Sequence, residues 1–520
     1  MSMPFDTRTT EQIKAHGLSI AEVERQLQLF KNGIPFVRLD RPATVGDGIR
    51  RLSEAEQQEL VARFGEVLND AKIRIMKFVP ASGAASRMFR DLETVLNSYA
   101  RIDDAVLNKE DKGCAFAHTF ISHIRDFAFW PALKQALAAD GLDAEMLLKT
   151  ATYRPLIDYT LSEKGLNYSS MPKALIYFHR SGEHGLPVTS LSEHFAEGQA
   201  YARSTDGKVA LHFTVSPEFT EAINAEIEDI RRGYAAEVQF ETELSTQQPS
   251  TDTIAVDEQN EPFLDENGDI LFRPGGHGAL LKNLNNLKAD LVFIKNIDNV
   301  VPARLQEDTL YWKKVLGGLL SELREKIFAT QNELEAHPED GEAAARAAAL
   351  CRDELNLSLP EGFASEPPSA QTALLRKLLD RPVRVCGMVK NEGEPGGGPF
   401  WVKKEGAVNR LQIVESDQMD DSDPRQMELV QQATHFNPVD IVCSLTNKDG
   451  KPYDLDSFQD PETAFIASKS YDGRKLKALE RPGLWNGAMA GWISVFAEVP
   501  VATFNPVKTV NDLLRKQHQG

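Results

Sequence analysis

Val79-Pro80-Ala81-Ser82-Gly83-Ala84-Ala85-Ser86-Arg87-Met88 is the stretch on which the reading of this chain turns. Before it, residues 73–79 form a mostly apolar run with the length of a short buried strand. After it, residues 88–96 have the amphipathic spacing of a helix. Strand, turn of small residues, helix is how an α/β protein offers backbone N–H groups and a helix N-terminus to a phosphate. Small side chains let a phosphate reach the backbone, and Arg87 adds a fixed positive fork just past the turn. A tight packing turn uses the same residues, so the stretch alone leaves both readings open.

The 520 residues allow two or three domains, or one large α/β domain with insertions. The formal charge of −19 argues against a nucleic-acid surface. It leaves room for a nucleotide, which a few cations can hold locally. Cys114, Cys351, Cys386 and Cys443 are far apart and form no CxxC pair, as expected of reduced thiols in a cytoplasmic protein rather than a disulfide scaffold or zinc site. The polar N-terminus has no signal-peptide pattern, and no apolar run reaches membrane-spanning length, so no membrane partner is expected.

Working outward, residues 1–70 read as a helical, peripheral extension. Ile20, Val23, Leu27 and Phe30 recur at helical spacing, and Ser53 with Glu56 forms a capping box. Residues 71–430 read as an α/β core with helical insertions near 90–165 and 302–380, and residues 431–520 as strands and a helix that complete it. Within the core, Lys173 directly after Pro172 has a restrained position, although a solvated lysine at a strand start looks the same. His194 reads as a helix-surface histidine. The Ala-rich residues 341–350 read as a solvated helix. Pro274-Gly275-Gly276-His277-Gly278 carries more glycine than a turn needs, at a cost in conformational entropy, which favours a ligand loop. Residues 289–297 are the clearest buried strand, and they end in Asp298-Asn299. An acid at the carboxyl end of a central parallel strand sits where α/β sheets bind ligands. It can hold Mg²⁺ together with substrate phosphates, or it can cap a helix. The Gly-rich residues 391–400 read as a hairpin or a lid; no Walker lysine follows them. Residues 411–416 read as a strand closing on Glu415. Trp485 and Trp492 read as core, and Lys508 alone reads as a surface lysine.

The order of these pieces resembles the UDP-sugar pyrophosphorylases, the family of UDP-glucose and UDP-N-acetylhexosamine pyrophosphorylases. Ser82 to Arg87 stands where that family has its first, Gly-rich loop. Pro172-Lys173, the segment with Gln247 and Gln248, Gly275-Gly276-His277-Gly278, Asp298-Asn299 and Phe504 to Lys508 follow in the family's order. The strand ending at Glu415 is similar to its acidic sugar-side strand. The chain also resembles a bacterial family of unknown function that carries the same signature at residues 79–88. It departs from the pyrophosphorylase pattern in Ala84-Ala85, where glycines are common, in Ala279, where an acid is frequent, and in the long detour before Lys173. The helical insertion must loop out and return if Lys173 is to meet the first loop.

The resemblance implies a Rossmann-like mixed sheet of nucleotide-diphospho-sugar transferase (GT-A) type. It also implies a nucleotidyltransferase that joins a nucleoside triphosphate, UTP favoured, to a sugar 1-phosphate with release of pyrophosphate. In that reading Ser82, Gly83, Ala84, Ala85 and Arg87 hold the triphosphate. Lys173 and Lys508 neutralise phosphates, and Asp298 binds Mg²⁺. Gly276, His277 and Gly278 contact the base or nucleoside, Glu415 contacts the sugar, and Gln248, Gly275 and Asn299 are further substrate-binding residues. A silent nucleotide-sugar-binding protein and a metal-dependent glycosyltransferase are the alternatives.

Overall fold

A computed structural model of the chain describes residues 5–181, 185–393, 396–404 and 408–519. The chain forms two compact units. The first comprises Met1–Met76, Gln247–Ile294 and Lys314–Val501; the second comprises Lys77–Thr246, Lys295–Lys313 and Ala502–Gly520. These boundaries are a different division from the cuts expected at 70 and 430. The chain is mixed α/β with a mostly parallel central sheet, as the alternation of apolar runs and helical spacing predicts.

In the first unit the strands run in the order Thr44–Val45, Gly48–Arg50, Ile493–Glu498, Val383–Lys390, Asp440–Ser444, Leu291–Lys295. Val383–Lys390 pairs in parallel with Ile493–Glu498, Val385 opposite Val495, and antiparallel with Asp440–Ser444, Val385 opposite Val442. Val383 to Val389 are all buried, so the strand shows no polar alternation, as a sheet covered on both faces requires.

Residues 1–70 are more than a helical extension. Gly48–Arg50 pairs in parallel with Ile493–Glu498, and Leu39–Pro42 pairs with Gly398–Val402. Strands of three or four residues carry too little pattern to be read from sequence. The helices Thr7–Ala15 and Ile20–Asn32 are present, and Val23, Leu27 and Phe30 share a core with Ile254 and Leu479. The capping box also forms: Ser53 Oγ accepts from Glu56 N–H at 3.3 Å, and Glu56 Oε2 accepts from Ser53 N–H at 2.7 Å. The Ala-rich helix Gly341–Ala349 is not solvated. Ala343, Ala344, Ala347 and Ala348 are buried, and the helix packs on Pro368–Leu379. Its small side chains permit close approach and leave no large apolar residue to betray the buried face.

The second unit holds the parallel pair Lys208–Val215 and Gln239–Thr246, with Leu211 opposite Thr242, and Ile75–Pro80 neighbours Lys208–Val215. The expected insertion is helical: Ser86–Ser98, Lys112–Ser122, Trp130–Ala139 and Arg154–Leu161 surround Phe89, Phe120, Phe127 and Phe129. Val507, Val510 and Leu513 join that core and so anchor the last segment of the chain. A second core gathers Val79, Ala174, Leu191, Phe195 and Phe213. The four cysteines are buried and unpaired. Among the described residues, no helix is long and apolar enough to cross a membrane.

Candidate functional site

The opening stretch folds as strand Ile75–Pro80, a turn, and helix Ser86–Ser98. Ala85 precedes the helix without a side-chain cap, so its first N–H groups meet no capping side chain. Gly83, Ala84 and Arg87 are exposed, Ser82 is half-buried and Ala85 is buried. The N–H groups of Ala81 and Ala85 donate to Thr214 O and Met171 O, at 2.9 and 3.0 Å. Those of Ser82, Gly83 and Ala84 have no acceptor among the described residues.

The detour before Lys173 closes here. Ala84 bridges antiparallel to Pro172, and Lys173 N–H donates to Gly83 O at 3.4 Å. The helical insertion does loop out and return. Pro172 is extended (φ −70°, ψ 148°) and starts the short turn Lys173–Leu175, which aims the lysine.

Lys173 Nζ donates to Asp298 Oδ2 at 2.8 Å and to Val507 O at 2.8 Å; Lys508 Nζ donates to the same Oδ2 at 3.1 Å. Asp298 does not cap an α-helix: the α-helix that follows it starts only at Glu307. Its Oδ1 is buried without a hydrogen-bond partner. Burial alone would raise this carboxyl; Lys173 and then Lys508 reverse that and hold it below the usual carboxylate range. Asn299 Oδ1 accepts from Asn505 N–H at 2.8 Å, and Val507 N–H donates to Asp298 O at 3.0 Å. Asp512 Oδ2 then accepts from the N–H groups of Lys508 and Thr509 at 2.8 and 2.7 Å. Lys508 is thus fixed at its backbone, yet 53 % of its side chain is exposed, against 12 % for Lys173.

The donor set suits one hard cation rather than a protein cage. Among the described residues, no group of three or more His, Cys, Asp or Glu could hold a metal. Asp298 Oδ1, a buried carboxylate oxygen with nothing to accept from, fits Mg²⁺ bound by one carboxylate with substrate phosphates and water completing the sphere.

Beneath this cluster lies a second one that sequence reasoning missed. Lys77 in the strand before the loop, and Lys295 three residues before Asp298, both reach Glu197, at 2.8 Å to Oε2 and 2.7 Å to Oε1. Lys77 and Glu197 are fully enclosed. Burial lowers Lys77 to about 7 even beside Glu197. His194 is not on a helix surface. The helix Ser190–Ala202 is buried along most of its length, and His194 Nε2 donates to Ile297 O at 3.2 Å. The available signal was a lysine inside each of two otherwise apolar strands, since a buried lysine requires an acid.

The glycine-rich loop stands in the first unit. Gly276 has φ +73°, and a Cβ there would lie 2.1 Å from Glu480 Oε2; a Cβ on Gly278 would lie 2.1 Å from Pro482 O. The left-handed φ of Gly276 and the close approach of the Pro482 backbone to Gly278 therefore explain these glycines without a ligand. Gly275 makes the same approach: its carbonyl accepts from Arg481 N–H at 2.9 Å. His277 lies on Trp485, ring centroids 4.3 Å apart. His277 Nδ1 accepts from Leu484 N–H at 3.0 Å, so the proton sits on Nε2, which faces Glu415 Oε1 at 3.6 Å. Burial would raise Glu415; the hydrogen bond from His277 and those from Asn486 and Trp485 reverse that, and it is held low. His277, Glu415 and Trp485 thus form one polar–aromatic cluster, and Trp485 is half-buried while Trp492 is core. Gln248 is half-buried, and its carbonyl accepts from Thr251 N–H at 2.8 Å and Thr251 Oγ1 at 2.6 Å. Of the Gly-rich residues 391–400, Glu394 and Pro395 lie outside the described residues.

A family model described as "Domain of unknown function (DUF4301)" matches residues 6–519. A comparison with curated proteins finds no match. Among solved structures, the chain is similar to the uridine diphosphate N-acetylglucosamine pyrophosphorylase from Trypanosoma brucei, with TM-score 0.49 and 14 % identity over 98 % of this chain and 79 % of that one. It is also similar to the UDP-glucose phosphorylase from Trypanosoma brucei, with TM-score 0.44 and 12 % identity over 98 % and 80 %. A UDP-glucose pyrophosphorylase variant from Leishmania major in complex with UDP-glucose gives TM-score 0.43 and 14 % identity over 97 % and 77 %.

Proposed function

The chain belongs to the DUF4301 family, and we propose that it is a sugar-1-phosphate nucleotidyltransferase with a sheet of GT-A type. The observation that carries this reading is the meeting of Lys173, Lys508 and Asp298 from three distant segments, with one carboxylate oxygen left unpaired. The motif order makes UTP and a sugar 1-phosphate the favoured pair.

The chemistry asks for placement and charge neutralisation. A sugar-phosphate oxygen forms a bond to the α-phosphorus, the bond from that phosphorus to the bridging oxygen breaks, and pyrophosphate leaves with the electron pair. The nucleophile is already an anion at neutral pH, so no general base is needed. The free N–H groups at 82–84 and the exposed Arg87 receive the phosphates of the triphosphate. Lys173, held by Val507 O, is a fixed positive charge; Lys508, mostly exposed, turns to meet the charge that develops. Asp298 would hold Mg²⁺ through Oδ1, and that ion would supply charge neutralisation at the phosphates.

A screen for pyrophosphate release across nucleoside triphosphates and sugar 1-phosphates tests the reading. Asp298→Ala is expected to abolish release while the circular dichroism spectrum and melting behaviour stay close to those of the parent. Full activity in that variant would remove Asp298 from the mechanism. A glycoside product without pyrophosphate would replace the reading with that of a glycosyltransferase.

A further inference from the structure

The first unit carries a cleft of about 360 Å³ that shares no residue with the sites above. Four cations line it, Lys377, Arg381, Lys404 and Arg410, with two carboxylates, Asp380 and Asp460. In a chain with a formal charge of −19, a cleft with excess positive charge is unexpected. Both carboxylates are already engaged. Asp460 Oδ2 takes Lys404 Nζ at 3.1 Å, and its Oδ1 takes Glu462 N–H at 3.2 Å; Asp380 Oδ1 accepts from the Tyr453 hydroxyl at 3.0 Å.

Two guanidiniums remain. Among the described residues, neither Arg381 nor Arg410 has a side-chain hydrogen bond or ion pair. Arg410 starts the strand Arg410–Val414, and Arg381 sits in the bend just after the helix Pro368–Leu379, where its N–H donates to Leu379 O at 3.0 Å. Burial, and then the charge of Arg410, hold Arg381 below its ordinary value. Both side chains also line a smaller adjoining cleft with Leu357, Leu378, Leu411 and Trp492. Burial within that wall, which also carries Asn356, Ser358, Asn409 and Ser494, makes a repelling, unpaired cation pair costly and its neutralisation by an anion favourable. Two planar forks offer more donors than the two oxygens of one carboxylate can take, whereas a phosphate has oxygens and charge enough for both.

We propose that Arg381 and Arg410 form a binding site for a multiply charged phosphate anion. Orthophosphate and pyrophosphate share the chemistry. The second is also the product of the proposed reaction, and only that source rests on the transferase reading. Glu405 is the sole carboxylate among residues 405–407, which lie outside the described residues.

The test is calorimetric titration of the full chain with pyrophosphate, and separately with orthophosphate, in magnesium-free buffer. The Lys173→Met/Lys508→Met background removes the other cation cluster. Binding is expected to persist there and to weaken at least about tenfold on adding Arg381→Gln and Arg410→Gln. Arg381→Lys, which keeps the charge and loses the fork, should fall between. Unchanged affinity in the double glutamine variant overturns the site. So does binding that arises only in Glu405→Gln, because the cation pair is then satisfied from within the chain. Thermal melting of each variant separates loss of binding from loss of fold. No turnover is measured, so failure of the transferase reading leaves this result intact.

Discussion

Two carboxylates of the second unit each sit between two lysines, and they are wired differently. Glu197 gives one oxygen to Lys77 and the other to Lys295, and no atom of its side chain is exposed. Asp298 takes both Lys173 and Lys508 on Oδ2 and leaves Oδ1 empty-handed, with Lys508 half in solvent. The first arrangement is satisfied and sealed, as a structural ion triad must be if burial is not to destabilise it. The second is lopsided and open, which is a poor way to hold a fold and a good way to await a ligand. The two are linked in sequence. Lys77 lies in the strand that leads to the loop at 82–87, and Lys295 in the strand that leads to Asp298. The sealed triad therefore braces the backbone that presents the open one.

Breaking the sealed triad should have the largest effect on the fold. Glu197→Gln leaves two buried ammonium groups without a counter-charge, and stability should fall by about 3–5 kcal/mol in urea or guanidinium titrations. The sign of its pH dependence follows from Lys77, whose folded value, about 7, lies below the ordinary value of 10.5. Between those values the unfolded chain holds more protons than the folded chain, so raising the pH stabilises the fold. With Glu197 neutral Lys77 loses the counter-charge that favours its ammonium form, so the rule applies to it more strongly and the deficit of the variant should shrink as the pH is raised. A deficit that is constant with pH, or smaller than about 1 kcal/mol, would show that the triad is not the brace described.

Lys508→Met sharpens the contrast from the other side. Its ammonium is exposed, so stability should change by less than about 0.5 kcal/mol. Pyrophosphate release should fall by about a hundredfold or more, because a charge aimed at the developing negative phosphates is gone. A loss of stability without loss of rate would reverse the assignment of the two triads.

The same contrast explains what was legible in the sequence. Asp298 stood out by its place at the end of an apolar strand, whereas Lys173 and Lys508 each read alone as solvated lysines and were singled out only by the order of motifs along the chain. Glu197 and His194 were not, since a helix with acids and a histidine looks solvated until the strands packed on it are known. Gly48–Arg50 escaped because three residues carry no period, although it pairs with Ile493–Glu498. Gly276 and Gly278 were visible, but the sequence could not tell a ligand from a left-handed turn at Gly276 and the Pro482 backbone beside Gly278 as the reason for them. Periodicity reports the face an element buries, whereas partners distant in sequence leave no trace in a single chain.

The smallest and most discriminating change is Gly83→Ala. A Cβ on Gly83 would meet nothing within 4 Å, and its φ is not in the left-handed region. Alanine is therefore compatible with the fold, and by restricting the unfolded chain it should leave stability unchanged or raise it by up to about 1 kcal/mol. A packing turn would notice nothing. A phosphate that approaches the free N–H groups of residues 82–84 would meet the added methyl. The KM for the nucleoside triphosphate should then rise about tenfold with little change in kcat, since the contact serves ground state and transition state alike. An unaltered KM in a stable Gly83→Ala protein would return the loop to the packing reading. The open carboxylate at Asp298 would then need its phosphates held by Lys173, Lys508 and Arg87 alone.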